Sequence, residues 1–554
     1  MGSSPAVPFA GGRGTYRRRP ARGARRNGAD IAVTRRVVTD DQREVLEVLS
    51  RPDTYGPSRP AVTRIDTHSA AVFLAGDRAL KLKRAVRYDY LDFSTVERRR
   101  RFCEAELALN ARTAPGLYRR VVALTREPDS HLVLDGTGPP VEWLLEMTRF
   151  DGEALCDRMA ERHALALPSM QTLGQVVAAM HAGAPACPGR GGAVAMRWVI
   201  DGNADAFEAF GEALVPGGEH RRLTALARVW LDRLATRLDA RAARGARRQC
   251  HGDLHLRNIV MLDGRPTPFD AIEFNDDLTC IDVWYDVAFL LMDLWRRRLS
   301  RHANVVMNEY ARATGDLDGL AALPLFLACR AAVRAKTGVT AATLAAGAAA
   351  RLPLLDGARA YLALALELLT PRPAALVAIA GFSGSGKSTQ ADLLAPDLGP
   401  VPGALHLRSD VIRKDLFGVP ALEPLPGTAY SPEVSTRVYR CLRERAAAAL
   451  AASHAVVCDA VYADASERDA LASVARQAGV PFAAVWLDAP DATLLSRVTA
   501  RRHDASDATA DVVRRQLERG VAPTDWLRLD GTGDAEATQA RVRVALGAAG
   551  ITPR

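Results

Sequence analysis

The chain has 554 residues, of which 48% are hydrophobic and 25% charged, and its formal net charge is +9. This length exceeds what one hydrophobic core usually organises, so we expect at least two domains. No charge-free apolar run reaches membrane-spanning length, and the eight cysteines form no C-x-x-C pair. The composition therefore disfavours a membrane protein, a zinc cluster and a disulfide framework, and favours a cytoplasmic protein.

Most of the positive charge lies in residues 1–36, which contain nine arginines and one aspartate. This Gly-, Pro- and Arg-rich segment has no apolar face and no secretory core, so we expect a disordered tail. The remaining chain is nearly neutral, which disfavours nucleic acid as a main partner. Weak electrostatic contact of the tail with nucleic acid or anionic lipid stays open.

The segments 251–258 (HGDLHLRN) and 268–270 (PFD) carry the first group of residues with a chemical pattern. Protein kinases place an aspartate on a short loop, an asparagine five residues later, and a second aspartate after the next strand. By this layout Asp253 is the predicted base for an attacking hydroxyl. Asn258 and Asp270 are the predicted ligands of Mg²⁺ against the triphosphate of ATP.

The same loop allows two other interpretations. Alternate residues on an extended segment can converge on one ion, so His251, Asp253 and His255 form a possible metal site. Polar loop residues can also do no more than satisfy backbone groups. The metal interpretation leaves Asn258 and Asp270 without a role.

Residues 251–276 resemble the aminoglycoside phosphotransferase and choline kinase-like superfamily, whose fold is similar to that of protein kinases. The resemblance extends upstream over 72–86, which is similar to the strand with the ATP-binding lysine, and over 91–110, which is similar to the following helix. It extends downstream over 281–294. It implies a bilobal kinase-like domain.

The resemblance also implies roles for single residues. Lys81 takes the position of the lysine that binds the α- and β-phosphates, and Lys83 on the same strand face is its rival. Glu106 takes the position of its helix partner, with Glu104 second. Both lysines can instead be solvated charges at a strand edge. Asp286 resembles a family aspartate that supports the catalytic loop.

The chain departs from the kinase pattern at several places. No G-x-G-x-x-G lies between residues 59 and 77, where THSA at 67–70 takes the place of the phosphate-covering turn. Gly252 replaces the arginine of the protein-kinase loop. His181 ends an apolar helical stretch, where a packed histidine is favoured over a catalytic one.

The segment 381–388 (GFSGSGKS) fits the P-loop pattern and follows an apolar run, 375–380, that predicts a buried strand. Glycines let backbone N–H groups approach phosphate, Lys387 reaches the β and γ oxygens, and Ser388 offers its hydroxyl to Mg²⁺. The alternative is a glycine-rich turn with an incidental lysine. The predicted nucleotide-binding residues are Gly381, Phe382, Ser383, Gly384, Ser385, Gly386, Lys387, Ser388 and Thr389.

Residues of about 373–530 resemble the P-loop kinases of small metabolites, such as nucleoside monophosphate, gluconate and shikimate kinases. Asp410 and Arg413 are similar to the D-x-x-R pair with which that group grips its substrate. Asp459 ends an apolar strand and is a candidate for the Mg²⁺ water shell or a substrate group, with a helix cap as the alternative.

Residues 494–508 resemble the lid of the same group. Arg497 and Arg501 stand four residues apart, so we expect them on one helical face, where they stabilise the transferring phosphoryl group. Arg502 and a merely solvated basic face are the alternatives.

The predicted fold is therefore two-domain, α/β and α+β. It has a tail at 1–36, a bilobal kinase-like domain at 37–370 with a helical part from 285, and a P-loop parallel-sheet domain at 374–550. A Pro-rich linker, TPRPAA, separates the domains at about residues 371–373.

The predicted function is the transfer of the γ-phosphoryl group of ATP to a hydroxyl of a small molecule, with Mg²⁺, at two nucleotide sites. The substrate of neither site follows from a fold resemblance. Two other functions stay open. One is a single kinase regulated by a domain that only binds nucleotide, and the other is an RNA-associated ATPase that uses the arginine-rich tail.

Overall fold

In a computed structural model of the protein, the described residues are 37–88, 90–211, 216–345, 347–501, 504–519 and 526–554. The predicted disordered tail, residues 1–36, lies outside them. None of the described helices is long and apolar enough to cross a membrane.

The strands are β1 (Val37–Val38), β2 (Val62–Asp66), β3 (Ala70–Ala75), β4 (Arg78–Lys83), β5 (Val86–Tyr88), β6 (Leu91–Asp92), β7 (Tyr118–Arg126), β8 (Leu132–Leu134), β9 (Pro140–Thr148), β10 (Arg247–Gln249), β11 (Ile259–Leu262), β12 (Arg265–Pro268), β13 (Cys280–Asp282), β14 (Leu376–Ala380), β15 (Leu405–Arg408), β16 (Val456–Asp459), β17 (Phe482–Asp488) and β18 (Leu527–Asp530).

The helices are α1 (Arg43–Leu49), α2 (Val96–Asn110), α3 (Cys156–Glu161), α4 (Leu167–Ala182), α5 (Gly192–Phe210), α6 (Glu219–Ala243), α7 (Asp276–Thr279), α8 (Val283–Arg296), α9 (Ser300–Thr314), α10 (Leu323–Leu344), α11 (Ala348–Leu368), α12 (Lys387–Leu394), α13 (Ser409–Phe417), α14 (Pro432–Ala451), α15 (Ala465–Ala478), α16 (Asp491–Ala500), α17 (Ala510–Arg519) and α18 (Ala535–Ala548).

The first lobe is an antiparallel sheet in the order β2-β3-β4-β9-β7-β8. Side chains alternate between its faces, so Leu80 and Leu82 of β4 pack with Val45 and Leu49 of α1, whereas Lys81 points to the opposite face. The helix α2 lies there, against β7 and β9, and begins where the Thr95 side chain accepts a hydrogen bond from the N–H of Arg98.

The second lobe is helical. Its centre is α8, whose sequence VWYDVAFLLMDL is buried at every position from Val283 to Leu294. A helix that is buried all round belongs in a core, and α9 and α10 pack around it. The loop 250–258 and the β11–β12 hairpin lie at the edge of this lobe that faces the sheet.

The last unit is a parallel sheet in the order β15-β16-β14-β17-β18. The strand β14 is buried along its whole length, as strands covered by helices on both faces are. Val377 and Ile379 pack with α12 and α18 on one side, and Leu376 and Ala378 face the other side. That second face joins the helical core of the preceding lobe, so the two halves share a hydrophobic cluster.

One expectation about the cysteines is wrong. Cys187 and Cys280 form a disulfide, although they lie 93 residues apart and belong to no motif. They meet because β10 pairs with β13 and Ala186 forms an isolated bridge with Arg248, which is a long-range arrangement that spacing does not reveal. Six other cysteines are free, and most of them are buried.

Candidate active sites

Lys81 lies at the junction of the two lobes of the kinase-like half. Its Nζ contacts Glu106 Oε1 at 2.7 Å and Asp270 Oδ1 at 2.5 Å. The structure thus brings together the predicted lysine, its helix partner and the second predicted metal ligand. Glu104, the second choice for the partner, instead pairs with Arg100 on the exposed side of α2.

The rival lysine occupies a different position. Lys83 is only 2% exposed, and its Nζ contacts Glu106 Oε2 at 2.6 Å and also Glu273. It stands over the ring of Phe93 at 4.9 Å. We therefore assign Lys83 a structural role, in which it fixes Glu106 so that Glu106 in turn orients Lys81.

These ion pairs set the charge states of the cluster. Burial raises the pKa of Glu106, but the ammonium groups of Lys81 and Lys83 outweigh it and lower that pKa to about 2. Burial lowers the pKa of Lys81, but Asp270 and Glu106 outweigh it and raise that pKa well above its usual value. The lysine is thus a permanent cation between the lobes, which suits contact with phosphate oxygens.

The loop 251–258 presents the predicted base. Asn258 Nδ2 donates to both the backbone O and Oδ2 of Asp253, each at 3.0 Å, and His255 Nε2 lies 3.4 Å from Asp253 Oδ2. Burial raises the pKa of Asp253, but His255, His251 and Arg334 hold it below its usual range. Asp253 is therefore ionised at neutral pH and fixed in place.

Asp286 of α8 supports the same loop from the side of the helical lobe. Its two carboxylate oxygens accept the N–H groups of His251 (3.1 Å) and Gly252 (2.9 Å). His181 Nε2 lies 3.1 Å from Asp286 Oδ2, and His181 Nδ1 lies 2.9 Å from the hydroxyl of Tyr310. His181 is therefore a packed, hydrogen-bonded histidine, and Asp286 has the geometry of a structural support.

Gly252 has a backbone reason to be glycine. Its φ is +83°, and a Cβ there would lie 3.0 Å from Leu278 O and 3.1 Å from Thr279 Cγ2. The position where protein kinases have arginine therefore tolerates no side chain without a shift.

The orientation of the His251 ring does not fit the alternative metal site at His251, Asp253 and His255. His251 Nε2 donates to Phe269 O at 2.8 Å, and its Nδ1 accepts the N–H of Asp253 at 3.3 Å. Both ring nitrogens are thus in use. Among the described residues, the group of donors close enough for a metal is His181, Cys250 and Asp286, which is buried and hydrogen-bonded as above.

The kinase-like site has oxygen atoms that fit Mg²⁺. Because Asn258 Nδ2 donates to Asp253, its Oδ1 faces away and stays available as a neutral ligand. Asp270 uses Oδ1 for Lys81, and its Oδ2 makes no hydrogen bond within the described part of the chain. Its side chain is 43% exposed and its φ of +62° turns it out of the strand.

The second site surrounds the P-loop between β14 and α12. Gly384 and Gly386 have φ values of +89° and +91°, and a Cβ on Gly384 would lie 2.5 Å from Leu494 O. Lys387 is the first residue of α12, buried and without a carboxylate partner among the described residues. The loop thus has the left-handed turns and the cation at a helix N-terminus that phosphate binding needs.

Other predicted P-loop residues differ in accessibility. Ser383 and Ser385 are buried, Ser388 is half-buried, and Thr389 is exposed. Gln516 of α17 reaches the loop, since its Oε1 accepts the N–H of Ser383 at 3.0 Å. This contact was not predicted, because a glutamine in a polar helix carries no motif.

Asp459 lies at the carboxyl end of β16, next to the P-loop strand. It is 2% exposed, and its Oδ1 has no hydrogen-bond partner among the described residues. Burial raises its pKa, but His406, Lys387 and Arg408 outweigh it and keep the pKa low. A buried, ionised oxygen without a partner fits the water shell of Mg²⁺. It does not cap a helix, because Asp464 caps α15.

His406 and Arg408 of β15 are site residues that the sequence did not indicate. Arg408 Nε lies 3.5 Å from Asp459 Oδ2, and His406 Nδ1 lies 3.0 Å from Asp392 Oδ1. Burial lowers the pKa of His406, but Asp392 and Asp459 outweigh it and raise it to about 9. The only sequence signal for His406 and Arg408 was the alternation of apolar and polar residues along the short strand β15.

The structure corrects the expected arginine pair of the lid. The helix α16 ends at Ala500 and Arg501 has extended backbone, so Arg497 and Arg501 do not share a helical face. Beyond the helix, Asp504 pairs with Arg408 at 3.0 Å. Arg497 donates to Gly531 O at 2.9 Å and lies 3.4 Å from Gly384 O, so it supports the P-loop. Arg502 lies outside the described residues.

The D-x-x-R pair lies on the first turns of α13. Asp410 makes no hydrogen bond or ion pair within the described chain, whereas Arg413 donates to Ala429 O at 2.7 Å and stands 4.9 Å from the ring centre of Tyr430. The next residue, Lys414, is buried and pairs with Asp507 at 2.7 Å. The 504–519 segment is thereby held against α13.

Two family models match the chain. Residues 83–323 match the model described as a phosphotransferase enzyme family, and residues 376–523 match the model described as an AAA domain. These segments contain the two sites described above. They confirm the predicted resemblance and the predicted two-part fold.

Similar proteins have comparable length. Uncharacterized proteins of Mycobacterium tuberculosis and Mycobacterium bovis are each 29% identical over 489 residues, which cover 86% of this chain and 94% of the relative.

Similar solved structures each cover one half. A choline/ethanolamine kinase family protein from Mesorhizobium loti is 14% identical and covers 59% of this chain and 98% of its own, with a TM-score of 0.35. A gluconokinase from Sinorhizobium meliloti is 23% identical and covers 32% and 95%, with a TM-score of 0.22. Residues 83–323 are thus similar to the phosphotransferase enzyme family, and residues 376–523 are similar to the AAA domain family.

Proposed function

We propose that the chain is an ATP-dependent phosphotransferase with two catalytic centres, each of which moves the γ-phosphoryl group of ATP to a hydroxyl of a small molecule. The observation that supports this most is the kinase-like site. There an ionised Asp253, held by Asn258 and Asp286, stands at the same interlobe edge as the Lys81–Asp270 pair.

In the proposed reaction, the hydroxyl oxygen of the acceptor forms a bond to the γ-phosphorus, and the bond from that phosphorus to the β,γ-bridging oxygen breaks, which releases ADP. Asp253 accepts the hydrogen bond of the hydroxyl and receives its proton. Because its pKa is lowered, Asp253 is a weak base. It therefore orients the hydroxyl first and takes the proton late, which suits a loose transition state.

The other residues bind and position. Lys81, oriented by Glu106, contacts the α- and β-phosphates, and Asn258 and Asp270 hold Mg²⁺. When bound, Mg²⁺ neutralises charge on the phosphate oxygens. In the second centre the P-loop amides and Lys387 cradle the phosphates, Ser388 and Asp459 serve the Mg²⁺ shell, and Asp410 faces the acceptor.

The test is ATP turnover across a library of hydroxyl compounds with wild type, Asp253→Asn and Lys387→Met. We expect each variant to lose a different acceptor-dependent activity, by about 10²- to 10⁴-fold for Asp253→Asn because a positioned base contributes that much. The unaffected activity in each variant is the control for folding.

The alternative of a single kinase with a nucleotide-binding regulatory domain predicts a different result. One of the two variants would then change the affinity or the rate of the same reaction and remove no activity of its own. An RNA-associated ATPase would instead show RNA binding that weakens steeply with salt and vanishes when residues 1–36 are removed.

A further inference from the structure

An arginine of α10 holds the catalytic loop from the helical lobe. Arg330 of α10 donates to Gly252 O and to Tyr285 O, each at 3.0 Å, and its guanidinium lies 3.9 Å from the ring centre of Tyr285. It is thereby committed to holding the catalytic loop. Arg334 follows four residues later, so it projects from the same face of α10, one turn farther on.

Arg334 has no carboxylate partner within the described part of the chain. Its guanidinium lies 5.8 Å from the ring centre of Tyr361, and the guanidinium of Arg296 lies 5.4 Å from the same ring. Arg296 also lacks an ion pair among the described residues. Two guanidinium groups without an ion pair in the described chain therefore flank the ring of Tyr361.

The carboxylates nearby do not neutralise this pair, because they are used by other arginines. Asp293 pairs with Arg297 at 3.1 Å, and Asp157 lies 3.5 Å from Arg257. Arg334 is among the groups that lower the pKa of Asp253, so its guanidinium lies on the side of the catalytic loop where Asp253 is.

Arg334 is half-buried and has no carboxylate partner in the described chain, so its guanidinium is available to a ligand. Its planar fork matches carboxylate and phosphate oxygens, and it repels ammonium groups. Resting on the proposed function, we propose that the kinase-like site takes a hydroxyl acceptor that also carries an anionic group, phosphate or carboxylate. Arg334 binds that group, with Arg296 at the rim, and the site disfavours cationic amino sugars and amino alcohols.

The experiment uses the full chain with Lys387→Met, which silences the P-loop centre. Turnover and calorimetric binding in the presence of Mg²⁺ and nucleotide are measured for three charge classes of hydroxyl compounds. The anionic probes are glycerol 3-phosphate and glycerate, the neutral probe is glycerol, and the cationic probes are choline and kanamycin. Comparing the two anionic probes distinguishes a phosphate from a carboxylate group.

We expect binding and turnover in the anionic class. Arg334→Gln should raise the KM or dissociation constant for the anionic probe about 10- to 100-fold, as loss of a charge-assisted contact does, and change kcat much less. Arg334→Lys should recover part of the loss. Arg359→Gln is the matched control, because Arg359 lies on the neighbouring α11 and already pairs with Asp356.

Three results would overturn the inference. They are preferential use of a cationic or neutral probe, absence of binding by both anionic probes, and an Arg334→Gln defect that is confined to kcat and equal for all classes. The last would mean that Arg334 acts on the transferring phosphoryl group. Failure of the proposed function is distinguishable, because turnover would then survive Asp253→Asn.

Discussion

Glu106 carries two ammonium partners in a fully buried position, and this arrangement governs how the kinase-like site holds its lysine. A buried ion pair gains little over an apolar replacement, but removing one partner leaves an uncompensated charge. With Lys83 fixed to both Glu106 and Glu273, Lys81 is the member that faces the nucleotide side. The cluster therefore fixes the position of Lys81, and we expect the loss of any one of its charged members to destabilise it.

The lowered pKa of Glu106 predicts a defined pH dependence of stability. Because the folded-state value falls from 4.5 to about 2, its contribution is fully present above pH 4.5 and is lost as the pH falls towards 2. The contribution amounts to about 3 kcal/mol, at 1.36 kcal/mol for each unit. Urea unfolding between pH 5 and pH 3 should show a larger loss for wild type than for Glu106→Gln.

Glu104→Gln is the control for that measurement, because Glu104 is exposed on the same helix and pairs only with Arg100 at 3.0 Å. It should follow wild type across the whole range. A Glu106→Gln protein whose stability falls with pH as steeply as wild type would show that Glu106 is not the group responsible.

At this scale the sequence predicted the residues that belong to motifs. Asp253, Asn258 and Asp270 stand at fixed spacing on one loop and hairpin, so a single sequence reveals them. Arg408 and Arg334 act across the fold from segments without a motif, and their neighbours are set by how helices and strands pack. No spacing rule predicts such contacts.

The helix α9 is one of the elements that contact both halves. Toward the catalytic loop, the hydroxyl of Tyr310 meets His181, which holds Asp286. Toward the P-loop sheet, Asn304 Nδ2 donates to Ala404 O at 3.0 Å and Asn308 Oδ1 accepts the N–H of His406 at 2.7 Å. These backbone groups lie on the outer edge of β15, and an edge strand needs such cover.

Replacing Asn308 with Ala should therefore weaken the attachment of β15. The part-buried His406 N–H loses its acceptor, which costs about 0.5–1.5 kcal/mol. We expect a lower urea midpoint and reduced turnover at the P-loop centre, because His406 contacts Asp392 and Asp459. Arg301→Ala, at an exposed position of α9, is the control.

The contrary outcome is an Asn308→Ala protein with unchanged stability and P-loop turnover. It would mean that water replaces the asparagine amide and that other contacts, such as Asn304 with Ala404 and Arg312 with Asp415, suffice to hold the two halves together.

Among the elements, those with strong local patterns were predictable. The apolar run before the P-loop is β14, and the buried stretch from 283 is α8. The end of α16 at Ala500 was not predicted, because residues 494–508 contain no glycine or proline that would mark it. The asparagines of α9 belong to no sequence motif, and their role follows only from the packing of α9 against the edge of β15.

The described part of the chain carries two candidate phosphate-handling sites on separate sheets, with one hydrophobic cluster shared by the two halves. Each site has its own cation and its own acidic oxygens, namely Lys81 with Asp270 and Lys387 with Asp459. This duplication predicts two independent nucleotide sites per chain.

The most direct measurement is the equilibrium binding stoichiometry of a non-hydrolysable ATP analogue with Mg²⁺, in wild type, Lys81→Met, Lys387→Met and the double variant. The account predicts two sites in wild type, one in each single variant and none in the double variant. One site in wild type, or loss of both sites in a single variant that retains its fold by circular dichroism, would contradict it.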